Sequence, residues 1–185
     1  MYLHHYFNKA NEPFRSISEL PADEARKIFD GMASYLIEKE GGVYNPDQVT
    51  DKFIINRHKL RCDLECEMRQ QFINKNGNAQ RKYPYYLILS EYATPCKPLL
   101  EFYKNGDYIA LPVEDFDMTT VSFTYGDSFV QYYHTEDSPY ELVYTYDEIL
   151  EIIKKHGWVA KNENGWGFVE AQLWSDLQIN KYRGN

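Results

Sequence analysis

Arg57, Arg61, Glu65 and Arg69 stand four residues apart in the stretch RHKLRCDLECEMR. On a helix that spacing stacks them one turn above another. At about 100° per residue, Val49, Phe53, Leu60, Leu64 and Met68 share one apolar arc, with Arg57 inside it and Arg61 at its edge. Arginine keeps its charge, so a guanidinium turned toward a core needs a carboxylate or phosphate beside it. The spacing supports two arrangements. One is a ladder of ion pairs along the helix edge. The other is an anion site at the floor of a cleft, where the planar guanidinium suits a carboxylate or phosphate ligand. Arg57 and Arg61 are therefore candidate ligand-binding residues, and Arg57 is expected to be buried and paired.

His58, Cys62 and Cys66 recur at the same interval on the same helix. Three soft ligands one turn apart suit zinc. No compact second pair accompanies them, and their face points away from the apolar arc, so surface or partner-facing residues are the better reading and no metal site is assigned.

The stretch GFVEAQLW places Phe168, Glu170, Gln172 and Trp174 on one face of a strand and Val169, Ala171 and Leu173 on the other, which reads as core. Two polar side chains between Phe and Trp resemble the wall of a binding site. A carboxylate in such a setting is partly desolvated, which raises its pKa and suits it to acid–base work. An ordinary solvent face is the plainer alternative. His4 and His5 are adjacent, so they point to opposite sides of a strand, and one of them at most faces a given pocket. In VSFTYGDSF, Val121, Phe123 and Tyr125 alternate with polar residues before Gly126-Asp127. Gly followed by a polar residue is preferred in a two-residue hairpin turn, so the stretch reads as two paired strands with Asp127 exposed. The alternative is a loop over a pocket, with Asp127 holding a ligand.

The elements that would position these residues follow from periodicity and caps. Tyr2 to Phe7 alternates and reads as a first strand. Pro21 opens a helix with Asp23 and Glu24 at its positive end and Ala25, Ile28, Phe29, Met32 and Leu36 as its stripe; Gly41-Gly42 ends that segment. Asn45-Pro46 starts a second, longer helix to about Lys75, stopped by Asn76-Gly77. YYLILS and YIALPV read as strands, and Leu142 to Tyr144 as a shorter one. Thr145 and Glu148 form a capping box before a third helix that ends at Gly157. Helices and strands are mostly segregated, which implies an α+β fold: a mainly antiparallel sheet, two N-terminal helices (one long) and one C-terminal helix. Residues 1–176 read as one domain, and 177–185 as a polar tail that frays.

The chain has 185 residues, enough for one domain with a full core. Twenty Lys and Arg against 28 Asp and Glu leave a net charge of −8, a poor basis for general binding to nucleic acid or anionic membrane. No apolar run approaches a membrane span, and MYLHHYFNK lacks the pattern of a signal peptide, so the chain reads as cytoplasmic. Three cysteines, Cys62, Cys66 and Cys96, do not suggest structural disulfides there. The 17 tyrosines offer apolar bodies with polar tips, suited to ligand or partner surfaces as well as to cores.

The stretches LHHYF, PFRSISELP, FINKNG, RKYPYY, SFTYGD and VYTYDEI together resemble a family of small uncharacterised bacterial proteins, over nearly the whole chain. That resemblance implies no established activity. A second resemblance is to ADP-ribosyltransferase-like folds, which carry His or Arg on an early strand, a central aromatic or hydroxyl motif and Glu on a late strand. It implies catalytic roles for His5 (or His4), Tyr125 and Glu170, with NAD as the substrate. Glu170-Ala171-Gln172 inverts the order usual there, and the Ser-Thr-Ser element is missing.

The reading is a cytoplasmic α+β domain whose polar and aromatic cleft binds a small anionic or nucleotide-like molecule. Arg57, Arg61, His4, Gln172 and Trp174 are expected to bind it, and no cofactor is assigned. An ADP-ribosyltransferase-like enzyme and a protein-interaction domain are the alternatives, and residue pattern alone does not decide between enzyme and binding module or give an oligomeric state.

Overall fold

The computed structural model describes residues 1–39, 56–103, 105–133, 138–161 and 167–183. Gly41-Gly42, the Asn45-Pro46 helix start, Val49 and Phe53 lie outside the described residues, as do the side chains of Met32 and Leu36.

Five strands, β1 (Tyr2–Asn8), β2 (Tyr85–Ser90), β3 (Gly106–Pro112), β4 (Val121–Tyr125) and β5 (Val169–Leu173), form one antiparallel sheet in the order β3-β1-β2-β5-β4. The helices are α1 (Ala22–Lys39), α2 (Arg57–Asn74), α3 (Lys97–Phe102), α4 (Ser128–Tyr133) and α5 (Tyr146–His156). The architecture is α+β. Short helices α3 and α4 add to the three expected from the sequence. Among the described residues no helix is long and apolar enough to cross a membrane.

The local signals act as their chemistry dictates. Asn76 takes a left-handed conformation (φ 65°) behind α2, and Gly77 N–H donates to Phe72 O at 2.9 Å. Thr145 and Glu148 complete the capping box of α5. The tail departs from expectation. Ile179 is fully buried, and Arg183 donates to Tyr85 Oη at 2.5 Å, so the last described residues are docked on the domain.

The stretch VSFTYGDSF also departs. It forms one strand, not two, and Val130 to Tyr133 belong to α4. Gly126, at φ 114°, turns the chain out of the sheet. Asp127 Oδ1 accepts from Phe129 N at 2.8 Å and Val130 N at 3.2 Å, a helix N-cap. Alternation had suggested a second strand. Tertiary contacts outweigh it, because Phe129 is buried in a core cluster and Tyr133 Oη donates to Leu60 O at 2.6 Å. The strand expected at Leu142 to Tyr144 reduces to one bridge between Tyr144 and Phe123.

Each face of the sheet is covered. On one face Leu3, Leu87, Leu89, Leu111, Phe123, Val169, Ala171 and Leu173 form an apolar core with Ile149 of α5 and Ile179. On the other, Trp174 packs with Leu64, Met68 and Phe72 of α2 and Phe129 of α4. The expected solvent-facing or cleft-facing side of β5 is therefore interior over Gln172 and Trp174, both fully buried.

The sheet has a fork. β1 pairs with β3 along its whole length, from Tyr2↔Pro112 to Asn8↔Gly106, but with β2 only over Tyr2, Leu3 and His4. Beyond His4 the two strands part.

Candidate functional site

A cavity of about 390 Å3 opens at this fork. Tyr6 and Asn8 of β1 and Tyr86 of β2 form its sheet side, and Arg61 of α2 enters from above. Segment 11–20, the Lys27–Gly31 part of α1 and Phe102-Tyr103 at the end of α3 complete the wall.

His5 holds the fork open. Its Nε2 accepts from Phe14 N–H at 2.8 Å, which leaves Nδ1 to donate to Tyr86 O at 3.1 Å. The ring therefore links the backbone of the 11–20 segment to that of β2 where β1 has parted from it, and this fixes its tautomer. It stacks on Phe14 at 4.5 Å between ring centres. Burial pushes its pKa down to about 4, against the pull of the Tyr86 carbonyl, so it is neutral at physiological pH.

Arg61 is the charged centre. Its guanidinium lies 4.1 Å above the Tyr86 ring, and its Nε is 2.9 Å from Glu65 Oε1. The Arg61 side chain is 19% exposed and that of Glu65 0%. Glu65 also neighbours the Ser18 and Tyr86 hydroxyls, yet none of these contacts reaches aligned hydrogen-bond geometry. Burial alone would lower the Arg61 pKa; the surrounding Tyr86, Glu65, Glu170 and Asp127 outweigh it and hold the guanidinium firmly charged. Burial pushes the Glu65 carboxyl up, against the pull of Arg61. The expected ladder stops there: Arg69 turns away and donates to Arg81 O at 2.8 Å and Ala79 O at 2.7 Å.

Glu170 belongs to the same electrostatic cluster, one strand further across. Its Oε2 accepts from Ser128 N at 3.1 Å and Gln172 Nε2 at 3.2 Å. Burial first, then the charge of Asp127, push its carboxyl up to about 8, against Ser128 and Arg61. Behind it runs a buried chain of hydrogen bonds: Trp174 Nε1 donates to Ser122 Oγ, Ser122 Oγ to Gln172 Oε1, and Gln172 Nε2 to Thr124 Oγ1 as well as to Glu170. Gln172 and Trp174 thus sit in a closed polar network rather than on a cleft wall.

The remaining candidates are dispersed. Arg57 is half-buried, its guanidinium 4.0 Å from the centre of the Phe129 ring, one turn before Arg61. His4 is buried on the Glu170 face but outside the cavity wall. Tyr6 Oη accepts from Cys96 N and lies 3.2 Å from His4 Nδ1, and the Tyr92 backbone neighbours the same imidazole. Tyr125 points to the opposite face, where its hydroxyl donates to Gly157 O at 3.0 Å. Cys62 Sγ lies 3.9 Å from His58 Nε2 and Cys66 is exposed. Among the described residues no group of three or more His, Cys, Asp or Glu is disposed to hold a metal ion.

The structure therefore brings His5 and Arg61 to one cavity, sets Glu170 within electrostatic reach of Arg61, and leaves His4, Tyr125, Gln172 and Trp174 elsewhere. The cavity also uses residues that periodicity did not single out: Ser16, Lys27, Tyr86 and Tyr103. Tyr86 had one faint signal, since alternation in YYLILS sets it opposite Leu87. Neither a protein-family model, nor a curated protein, nor a solved structure matches the chain.

Proposed function

We propose that the protein binds a small anionic or nucleotide-like ligand in the forked cavity. The sign of the cavity wall carries this reading. The chain has a net charge of −8, yet among the described residues Arg15, Lys27 and Arg61 line the cavity with one carboxylate, Glu12; Arg15 also pairs with Glu24 and Arg61 with Glu65 behind the wall. Cations that face a recess attract anions into it. The hydrogen-bonding groups of the wall agree. Among the described residues Ser16 Oγ and Tyr86 Oη are buried without aligned partners, and each can donate. Such donors suit a group rich in acceptor oxygens, because leaving them unmet costs stability. Phe7, Tyr86, Phe102 and Tyr103 supply flat apolar surface for a ring. Glu170 supports a second reading, an NAD-using transferase of the ADP-ribosyl type, since a carboxyl held near 8 suits proton transfer at neutral pH. On that reading it works without Tyr125, which occupies the other face.

Calorimetry with sulfate, inorganic phosphate, adenosine monophosphate, NAD and adenosine tests both. The anions are expected to bind with Kd between about 1 μM and about 1 mM, and adenosine at least about tenfold more weakly than its monophosphate. Arg61→Met should erase that preference. Release of nicotinamide from NAD, lost in Glu170→Gln, would establish the transferase. Equal binding of adenosine and its monophosphate, or no heat from any anion at about 10 mM, would overturn the cavity reading.

A further inference from the structure

Behind the cavity wall, three carboxyl groups act on one guanidinium. Glu65 pairs with Arg61 within α2, and Glu170 of β5 and Asp127 at the β4–α4 junction act on it electrostatically from further away. Tyr86 from β2 and Ser18 from the segment before α1 face Glu65; Tyr103 at the end of α3 feels both Arg61 and Glu170; His5 from β1 is neutral. Arg15 and Lys27 stand further out on the cavity wall. The three acids differ in how their charge is supported. Asp127 caps α4 with its Oδ1. Glu170 accepts two hydrogen bonds. Glu65 is fully buried beside Arg61, with the Ser18 and Tyr86 hydroxyls near it, and among the described residues its oxygens meet no aligned donor.

We propose that Glu65 is a proton-coupled positioning residue: an anion that engages Arg61 from the cavity binds together with one proton, which Glu65 takes up from solvent. The proposal rests on the anion-cavity reading. The ligand's oxygens compete for the guanidinium and add a negative charge to a cluster already rich in acids. A buried carboxylate that loses its counter-charge neutralises rather than stay ionised in a dry site. Once protonated, Glu65 gains an O–H to donate to the oxygen of Ser18 or Tyr86, both without aligned partners. For a singly charged ligand the charge of the buried cluster is then the same with and without ligand, and for a dianion such as sulfate the proton offsets one of the two added charges. Glu170, already held up to about 8, is largely protonated at neutral pH and has little left to gain. Glu65, fully buried against Arg61, is the acid placed to take up the proton when a ligand draws on that guanidinium.

Linkage gives the sign. Where free Glu65 is ionised and bound Glu65 is protonated, affinity rises as pH falls, by up to about tenfold per pH unit. The probe is sulfate, which does not itself titrate in this range. Its binding is measured by calorimetry from about pH 5 to about pH 9, in pairs of buffers that differ in ionisation heat. The expected result is uptake approaching about one proton per sulfate over part of that range. Glu65→Gln should abolish the uptake and flatten the pH dependence, and Glu67→Gln, on the exposed side of the same helix, should leave both intact. The native protein gives the uptake directly, so the proposal stays testable if E65Q fails to fold. Sulfate binding without proton uptake at any pH, or uptake that persists in E65Q, would overturn the coupling and leave the anion cavity standing. Absence of sulfate binding would remove both.

Discussion

The two faces of the sheet are built from alternate residues of the same strands, and both are buried, yet they do different things. On one, Leu3, Leu87, Leu111, Phe123, Ala171 and Leu173 close into an apolar core that asks nothing of its neighbours but shape. On the other, His4, Ser122, Thr124 and Gln172 are buried and Tyr86 and Glu170 partly so, and their polar atoms need partners. From Trp174 to Glu170 the demand is met by a continuous chain of hydrogen bonds. Toward the fork it is met less fully: Arg61 and Glu65 pair with each other, and among the described residues His4 Nε2, Tyr86 Oη and Glu65 Oε2 lack aligned partners. A buried polar face that satisfies itself is scaffold, and one that stops short beside a cavity is a site.

The largest effect should come from damaging the apolar face. Phe123→Ala removes a ring at 0% exposure and should cost about 3–5 kcal/mol in denaturant unfolding. Anion binding per folded molecule should be unchanged. A cost below about 1 kcal/mol would mean that this face is not the structural one.

The fork should come next. His5→Phe keeps the stacking on Phe14 but orphans Phe14 N–H and the Tyr86 carbonyl, at about 2–4 kcal/mol together. The pH dependence carries a sign. A histidine lowered to about 4 in the folded protein binds a proton more readily when unfolded, at its ordinary 6.5. Its contribution to native stability is therefore steady above about pH 6.5 and falls as pH drops from there toward 4. Comparing urea unfolding of native protein and His5→Phe across that window checks it; an unchanged slope would show that His5 does not bridge the fork.

The smallest effect belongs to the junction beside Glu170. Asp127→Ala should cost about 1 kcal/mol by uncapping α4, whereas Asp127→Asn, itself a good cap, should cost only a few tenths. Thermal unfolding of the two variants separates a capping role from a charge role. Equal losses would show that the charge near Arg61 matters more than the cap.

Much of the scaffold is legible along the chain. Pro21, Asn76-Gly77, and Thr145 with Glu148 act within a few residues of themselves, and YYLILS is a strand because alternation and β-propensity agree. The pairing of Arg61 with Glu65 is likewise a local consequence of helical spacing. What periodicity does not say is whether a face meets water. It separates Glu170 and Gln172 from Val169 and Ala171, but the helices that bury the polar side come from distant parts of the chain. Asp127 shows the same limit, since the strand-like alternation after it yields to contacts of Phe129 and Tyr133 with α2.

By itself, then, the sequence determines the elements, their caps and the presence of a charged stripe on α2, because these depend on neighbours within a turn or two. Only the tertiary structure decides that β1 and β2 part after His4, that His5 bridges the gap, and that Arg61 rather than Arg57 stands at the cavity. Those outcomes depend on strand register and on backbone groups brought together across the chain: Tyr86 is 81 positions from His5. No local pattern encodes which carbonyl a parted strand will leave for an imidazole to find.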